Sequence, residues 1–145
     1  MGSLVFTYRT IIDAPIEQVW AFFSTADNLA KITTFPKVTI LSNPETVEGN
    51  IIHLKLQVAL LSVNWTSRIS KVDHLSCFLD QGEDLPFPFT EWSHLHNFTK
   101  FGAHTIMEDV VNFKAKVPSC VTRPILQVLF KGRESAIKNE LRQGK

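Results

Sequence analysis

PSCVTRPILQVLFKGRESAIKNELR, residues 118–142, repeats apolar side chains at helical spacing. On a helical wheel Ile125, Ala136, Leu129, Leu126, Ile137, Phe130 and Leu141 form one stripe, and Gln127, Lys131, Glu134, Lys138 and Arg142 form the opposite face. Pro124 is tolerated in the first turn, where a missing N–H costs no helical hydrogen bond. The spacing therefore predicts one long helix after Pro118, running to about Arg142 and buried on one face. Such a stripe needs a surface to cover it, and the preceding sequence supplies strands.

Residues 5–12 alternate, with Phe6, Tyr8, Thr10 and Ile12 on one side, as a strand with a buried face does. Asp13 is placed to cap the helix after it. Pro15, Ile16, Val19, Trp20 and Phe23 predict a short amphipathic helix over 15–23, and a second short helix falls at 27–32. Turn residues then divide the chain into strands at 38–41, 51–58, 63–72 and 75–80. Two further alternating runs, 91–98 and 105–113, are joined across Phe101-Gly102 as a hairpin. The Pro- and Phe-rich segment Leu85-Pro86-Phe87-Pro88-Phe89 reads as a loop. Many strands, two short helices near the start and one long amphipathic helix at the end predict an α+β domain with the helix packed on a curved antiparallel sheet of six to seven strands.

Composition bounds the function. At 145 residues one domain spanning 1–145 is the expectation, and a chain of this size buries roughly 70% of its unfolded surface. Hydrophobic residues make up 44% and charged residues 20%, which excludes disordered and fibrous classes. A net charge of +1 offers none of the attraction that phosphate backbones require, so nucleic acid is not an expected partner. The longest apolar run, Val58 to Leu61 extended by Val63, is too short for a membrane span, and no signal pattern opens the chain. The expected address is the cytoplasm. Cys77 and Cys120 lie far apart and read as small buried or half-buried apolar residues.

Chemistry concentrates in the last two strands. Trp92, His94, His96 and Phe98 share one face, so two imidazoles lie between two large aromatics. A turn at Phe101-Gly102 sets His94 opposite Asp109, His96 opposite Met107 and Phe98 opposite Thr105. A slip of one residue sets Glu108 opposite His96 instead. The first register is preferred, because it keeps Met107, Val111 and Phe113 with the aromatics. Three roles stand for His94 and His96: structural bonding to Asp109 and buried backbone, orientation of a ligand's carbonyl or hydroxyl in an apolar cavity, or metal chelation. The expectation is no metal and no cofactor, since no third ligand is evident. His53, His74 and His104 read as solvated. Trp20, Trp65 and Phe78 read as core.

Arg133 falls inside the apolar stripe, between Leu129, Ala136 and Ile137. Burying its guanidinium alone costs several kcal/mol by the usual order of magnitude, so the position calls for a partner. Asp109, Asp80 and Glu108 are candidates, as are snorkelling to water or a ligand carboxylate or enolate. Phe6, Tyr8, Trp92, Phe98, Met107 and Phe130 are all expected to face the space between sheet and helix, where some line a cavity instead of filling it.

Two motifs carry a resemblance. Ile12-Asp13-Ala14-Pro15-Ile16-Glu17-Gln18-Val19-Trp20-Ala21-Phe22-Phe23, followed by Asp27-Asn28-Leu29, is similar to the opening of the START-like or Bet v 1-like superfamily (SRPBCC), which includes polyketide cyclase/dehydrase and lipid-transport proteins. Trp92-Ser93-His94-Leu95-His96-Asn97-Phe98, followed by Thr105, Asp109 and Val111, resembles a W-x-H-x-H-x-F signature in a bacterial branch of it. The resemblance implies a helix-grip fold over the whole chain. Where the branch has Gly-Pro-Phe before its signature Trp, this chain has Phe87-Pro88-Phe89, and the lengthened segment is expected to cover or reshape the pocket mouth.

The leading expectation is a domain, monomeric or homodimeric, that binds a small hydrophobic ligand, lipid-, polyketide- or isoprenoid-like. The site residues are Tyr8, Trp92, His94, His96, Phe98, Met107, Asp109, Phe130 and Arg133. The alternative is a cyclase- or dehydratase-type enzyme in which His94, tuned by Asp109, moves a proton and Arg133 stabilises an oxyanion. A third reading is a protein-interaction module using the Leu85 to Phe89 loop.

Overall fold

The computed structural model describes residues 2–142. The element order is β1 (Leu4–Ile12), α1 (Ile16–Phe23), α2 (Ala26–Ile32), β2 (Lys37–Ile40), β3 (Ile51–Val58), β4 (Leu61–Asp73), β5 (Cys77–Asp84), β6 (Phe89–Phe101), β7 (His104–Ala115) and α3 (Ser119–Glu140). All seven strands form one antiparallel sheet in the order β1-β7-β6-β5-β4-β3-β2. The chain therefore winds as a meander from β2 to β7, and β1 closes on the last strand. The α+β helix-grip architecture expected from the periodicity is the one observed.

Alternation explains the inward face. On β7, Thr105, Met107, Asp109, Val111, Phe113 and Ala115 are buried while Glu108 and Asn112 face outward. The core splits in two along α3. Its amino-terminal half sets Leu126 and Phe130 against Phe6, Val111 and Phe113, and its carboxy-terminal half sets Ile137 and Leu141 against α1, Phe98 and Met107. Phe130, 2% exposed, packs its ring on Phe6 and Tyr8. The helix thus grips the β1, β7 and β6 side of the sheet. The β3, β4 and β5 side curls away from it, toward α2 and the segment after α2, and the gap between them is a cavity.

Several local expectations are corrected. Asp13 does not cap α1: Pro15 holds the cap position without a side-chain bond, and the Asp13 carboxylate instead meets His104 at 3.2 Å. β5 starts at Cys77, because Leu75 has a φ of 62° and belongs to a turn closed by the Ser76 N–H donating to the Asp73 carbonyl. The β6–β7 turn consists of Gly102 and Ala103, since Phe101 pairs with His104, and Gly102 takes a φ of 60° that suits glycine. Ile125, assigned to the buried stripe, is 57% exposed, and Cys120 is exposed too. Both lie in the first two turns of α3, where Thr122 and Leu126 take the buried positions and Ile125 lines the cavity; Pro124 sits inside the helix at its second turn, not in the first. Glu134, placed on the outer face, lies at the edge of the stripe and accepts a hydrogen bond from the sheet.

Candidate functional site

The β6–β7 register decides which groups meet. It pairs His94 with Val111, His96 with Asp109 and Phe98 with Met107, two residues from the preferred expectation. A shift of two keeps every side chain on its face, so Asp109 still points inward and Glu108 still points out. Asp109 Oδ1 lies 2.8 Å from His94 Nε2 and 3.5 Å from His96 Nδ1. One carboxylate thus serves both imidazoles.

β5 adds a second carboxylate from the other side. Asp80 pairs with His94 across the sheet and shares its strand face with buried Phe78. Its Oδ2 is 2.7 Å from His96 Nε2 and 3.9 Å from His94 Nδ1, and Ser67 donates to its Oδ1 at 3.5 Å. The imidazoles lie face to face with centroids 3.7 Å apart, and Phe78 stacks on His96 at 4.0 Å. His94 and His96 are 3% and 0% exposed. Asp80, His94 and His96 could hold a metal ion, with one ligand atom from each lying within 4.8 Å of the others.

Arg133 approaches from α3. Its Nε donates to Thr33 Oγ1 at 3.0 Å, and its guanidinium carbon stands 5.2 Å from the Phe130 ring centre. Among the described residues no direct ion pair joins it to Asp80, Asp109 or Glu108. The first two nevertheless act on it through space, countering the burial that lowers its pKa. Arginine remains cationic at such sites. Burial pushes the Asp80 carboxyl up, but the His96 hydrogen bond and the charges of His94, His96 and Arg133 outweigh it and hold the group below its ordinary value. Burial, reinforced by His94, lowers His96 from its ordinary value. With both imidazoles neutral, the local balance is two carboxylates against one guanidinium.

The cavity beside this cluster encloses about 310 Å³, within the range of small-molecule sites. Leu54, Leu56, Ile69, Trp65, Leu126 and Leu129 form much of its wall, and Ser67, Asp80, His94, Thr33 and Arg133 contribute polar groups. The expected site residues divide. Trp92, His94 and Arg133 line this cavity. His96, Met107, Asp109 and Phe130 line a separate space of about 10 Å³ that holds no more than a water, with Arg133 common to both. Phe98 packs with Trp20, Phe23 and Phe78.

Tyr8 donates its hydroxyl to Glu134 Oε1 at 2.7 Å, tying β1 to α3. Burial, then the Glu134 hydrogen bond and charge, raise its pKa from 10.0 to about 12. Because folding favours the neutral phenol, stability falls as pH rises from about 10 to about 12. Tyr8 is the chain's one tyrosine, so phenolate absorbance reads it alone. The folded protein should titrate near 12 and the denatured chain near 10; equal midpoints would remove the Tyr8–Glu134 bond from the account.

The sequence named Asp80 only as a possible partner of Arg133, not as a site residue beside the histidines, and Trp65 was read as core. The available signal for Asp80 was a charge at the same parity as Phe78 in an alternating strand. Phe89, from the loop expected to shape the pocket mouth, also lines the cavity and packs on Trp65 and Trp92.

No family model matches the sequence, and no curated protein matches it. Solved structures do resemble it. An aromatase/cyclase from a Streptomyces species aligns with a TM-score of 0.74 at 17% identity, covering 96% of this chain and 93% of that one. A START superfamily protein from Mycobacterium smegmatis aligns at 0.75 and 12% identity over 97% of each chain. A major latex-like protein from Panax ginseng aligns at 0.68 and 9% identity, covering 92% of this chain and 96% of that one. The chain has the START-like, Bet v 1-like helix-grip fold.

Proposed function

We propose that the chain binds a small, mostly hydrophobic molecule with one oxygen-bearing end in the cavity between the β3–β5 side of the sheet and α3. The observation that carries this reading is an apolar space of about 310 Å³ whose wall is interrupted by Asp80, His94 and Arg133. Burying an apolar body there gains roughly 25 cal/mol per Å² removed from water. The polar groups then fix orientation. Two carboxylates near one guanidinium, Asp80 in the cavity wall and Asp109 next to it across His94, favour a neutral hydroxyl, which donates to Asp80 and accepts from Arg133, over a third anion. The aromatase/cyclase and START neighbours share the fold alone, and the reading rests on the cavity.

Titration with naphthalene, 2-naphthol and 2-naphthoate tests this. Binding should be tightest for 2-naphthol, at least tenfold tighter than for naphthalene, with 2-naphthoate weaker than 2-naphthol. Equal affinities for all three would show that the polar groups take no part.

The enzyme reading keeps one specific observation in its favour. His94 Nε2 is anchored on Asp109, which leaves Nδ1, 3.9 Å from Asp80 Oδ2, as the free base of a residue that lines the cavity. Ligands recovered from cells with the protein and incubated with it distinguish the two: unchanged mass and connectivity support binding, and a dehydrated or cyclised product supports acid–base catalysis.

A further inference from the structure

The four groups Asp80, His94, His96 and Asp109 do not satisfy one another with protons alone. A neutral imidazole carries one N–H, yet each of these rings lies between two carboxylates. His94 meets Asp109 through Nε2 and Asp80 through Nδ1; His96 meets Asp109 through Nδ1 and Asp80 through Nε2. Two neutral rings supply two protons for four nitrogen–oxygen approaches. The mismatch is visible in His96 Nδ1, a fully buried atom with no hydrogen-bond partner. A cation beside Asp80 resolves the mismatch: the Nε2 proton that His96 now donates to Asp80 at 2.7 Å moves to Nδ1, both rings then donate to Asp109, and both turn a lone pair toward the cation.

That arrangement is a ligand set. We propose that Asp80, His94 and His96 bind a divalent first-row transition ion, Zn²⁺ or a close relative, through Asp80 Oδ2, His94 Nδ1 and His96 Nε2. Asp109 is then the outer partner that accepts the remaining N–H of each imidazole, the usual support of a metal-bound histidine. Two nitrogens and one carboxylate oxygen suit zinc, and the cavity side leaves a further coordination position open. Zinc bonds of about 2.0–2.1 Å place tetrahedral ligand atoms roughly 3.3 Å apart. The two measured approaches to Asp80 Oδ2, 2.7 and 3.9 Å, bracket that spacing. The stacked imidazoles, inclined at 23°, must fan apart for both lone pairs to converge. The ion reaches the site through the cavity, which Asp80 and His94 line.

Zinc uptake goes beyond the ligand reading and is tested without any apolar ligand, so either can fail alone. The full chain, stripped with a chelator, is titrated calorimetrically with Zn²⁺, and with Co²⁺ while its visible absorption is recorded. One equivalent should bind with a Kd at or below about 1 μM, and Co²⁺ should show the d–d bands of a site with mixed nitrogen and oxygen ligands. Asp80→Asn should weaken Zn²⁺ at least 100-fold, and Asp109→Asn roughly 10- to 100-fold. His104→Ala, which removes the exposed His104–Asp13 pair, should change nothing. The cobalt spectrum of the unmodified chain stands even where a substitution unfolds the protein. Absence of stoichiometric uptake overturns the proposal, as does uptake that survives Asp80→Asn or is lost in His104→Ala.

Discussion

Leu54→Trp is expected to weaken 2-naphthol binding by more than 100-fold while leaving the protein folded. Leu54 lies on β3 opposite Ile40 on one neighbour and Trp65 on the other, and its half-buried side chain projects into the cavity. An indole there occupies space that is open in this structure, so the cost of overpacking a filled core does not arise. The loss of more than two decades corresponds to roughly 2.8 kcal/mol, comparable to burying one large apolar group. Leu54→Ala, which enlarges the cavity, should lose far less. Retained affinity in Leu54→Trp, with an unchanged melting temperature, would mean that the ligand sits elsewhere.

Asp109→Ala should be the most destabilising single change in the polar cluster, by about 3 kcal/mol or more. The carboxylate is 4% exposed, lies 2.8 Å from His94 Nε2 and helps balance Arg133. Its removal strands a buried imidazole N–H and leaves the guanidinium with Asp80 alone. For a domain of this size the melting temperature should fall by roughly 6–12 °C. Asp109→Asn, which retains an acceptor and the shape, should cost clearly less. Thermal and urea unfolding measure both; a change below about 0.5 kcal/mol in Asp109→Ala would show that the cluster does not support the fold.

The fold was legible because it rests on periodicity. The stripe of α3 and the alternation of β1, β6 and β7 are local properties of the chain, and each of these elements formed near its expected bounds. The inward direction of His94, His96 and Asp109 was legible for the same reason, as was the place of half-buried Arg133 on the inner side of α3. What escaped was register and curvature. The hairpin pairing depended on which two residues turn, and Gly102 takes the first turn position where the sequence reading gave it the second. The parity of β5 turns Asp80 inward with Phe78, but only the β5–β6 pairing sets it beside the two histidines, and no local pattern encodes that pairing. Trp65 lines a cavity because the sheet curls away from α3, and curvature is a property of all seven strands together. Met107 shows the same limit from the other side: its face was read correctly, yet α3 covers it and it borders only the small space near Phe130.

The most direct measurement of the central claim is a crystal structure of the protein with 2-naphthol bound. The ring system should lie between β3, β4 and α3, beside Leu54 and Leu129, with the hydroxyl within hydrogen-bonding distance of Asp80, His94 or Arg133. A ligand bound on the outer surface, or a cavity that stays empty at saturating 2-naphthol, would contradict it.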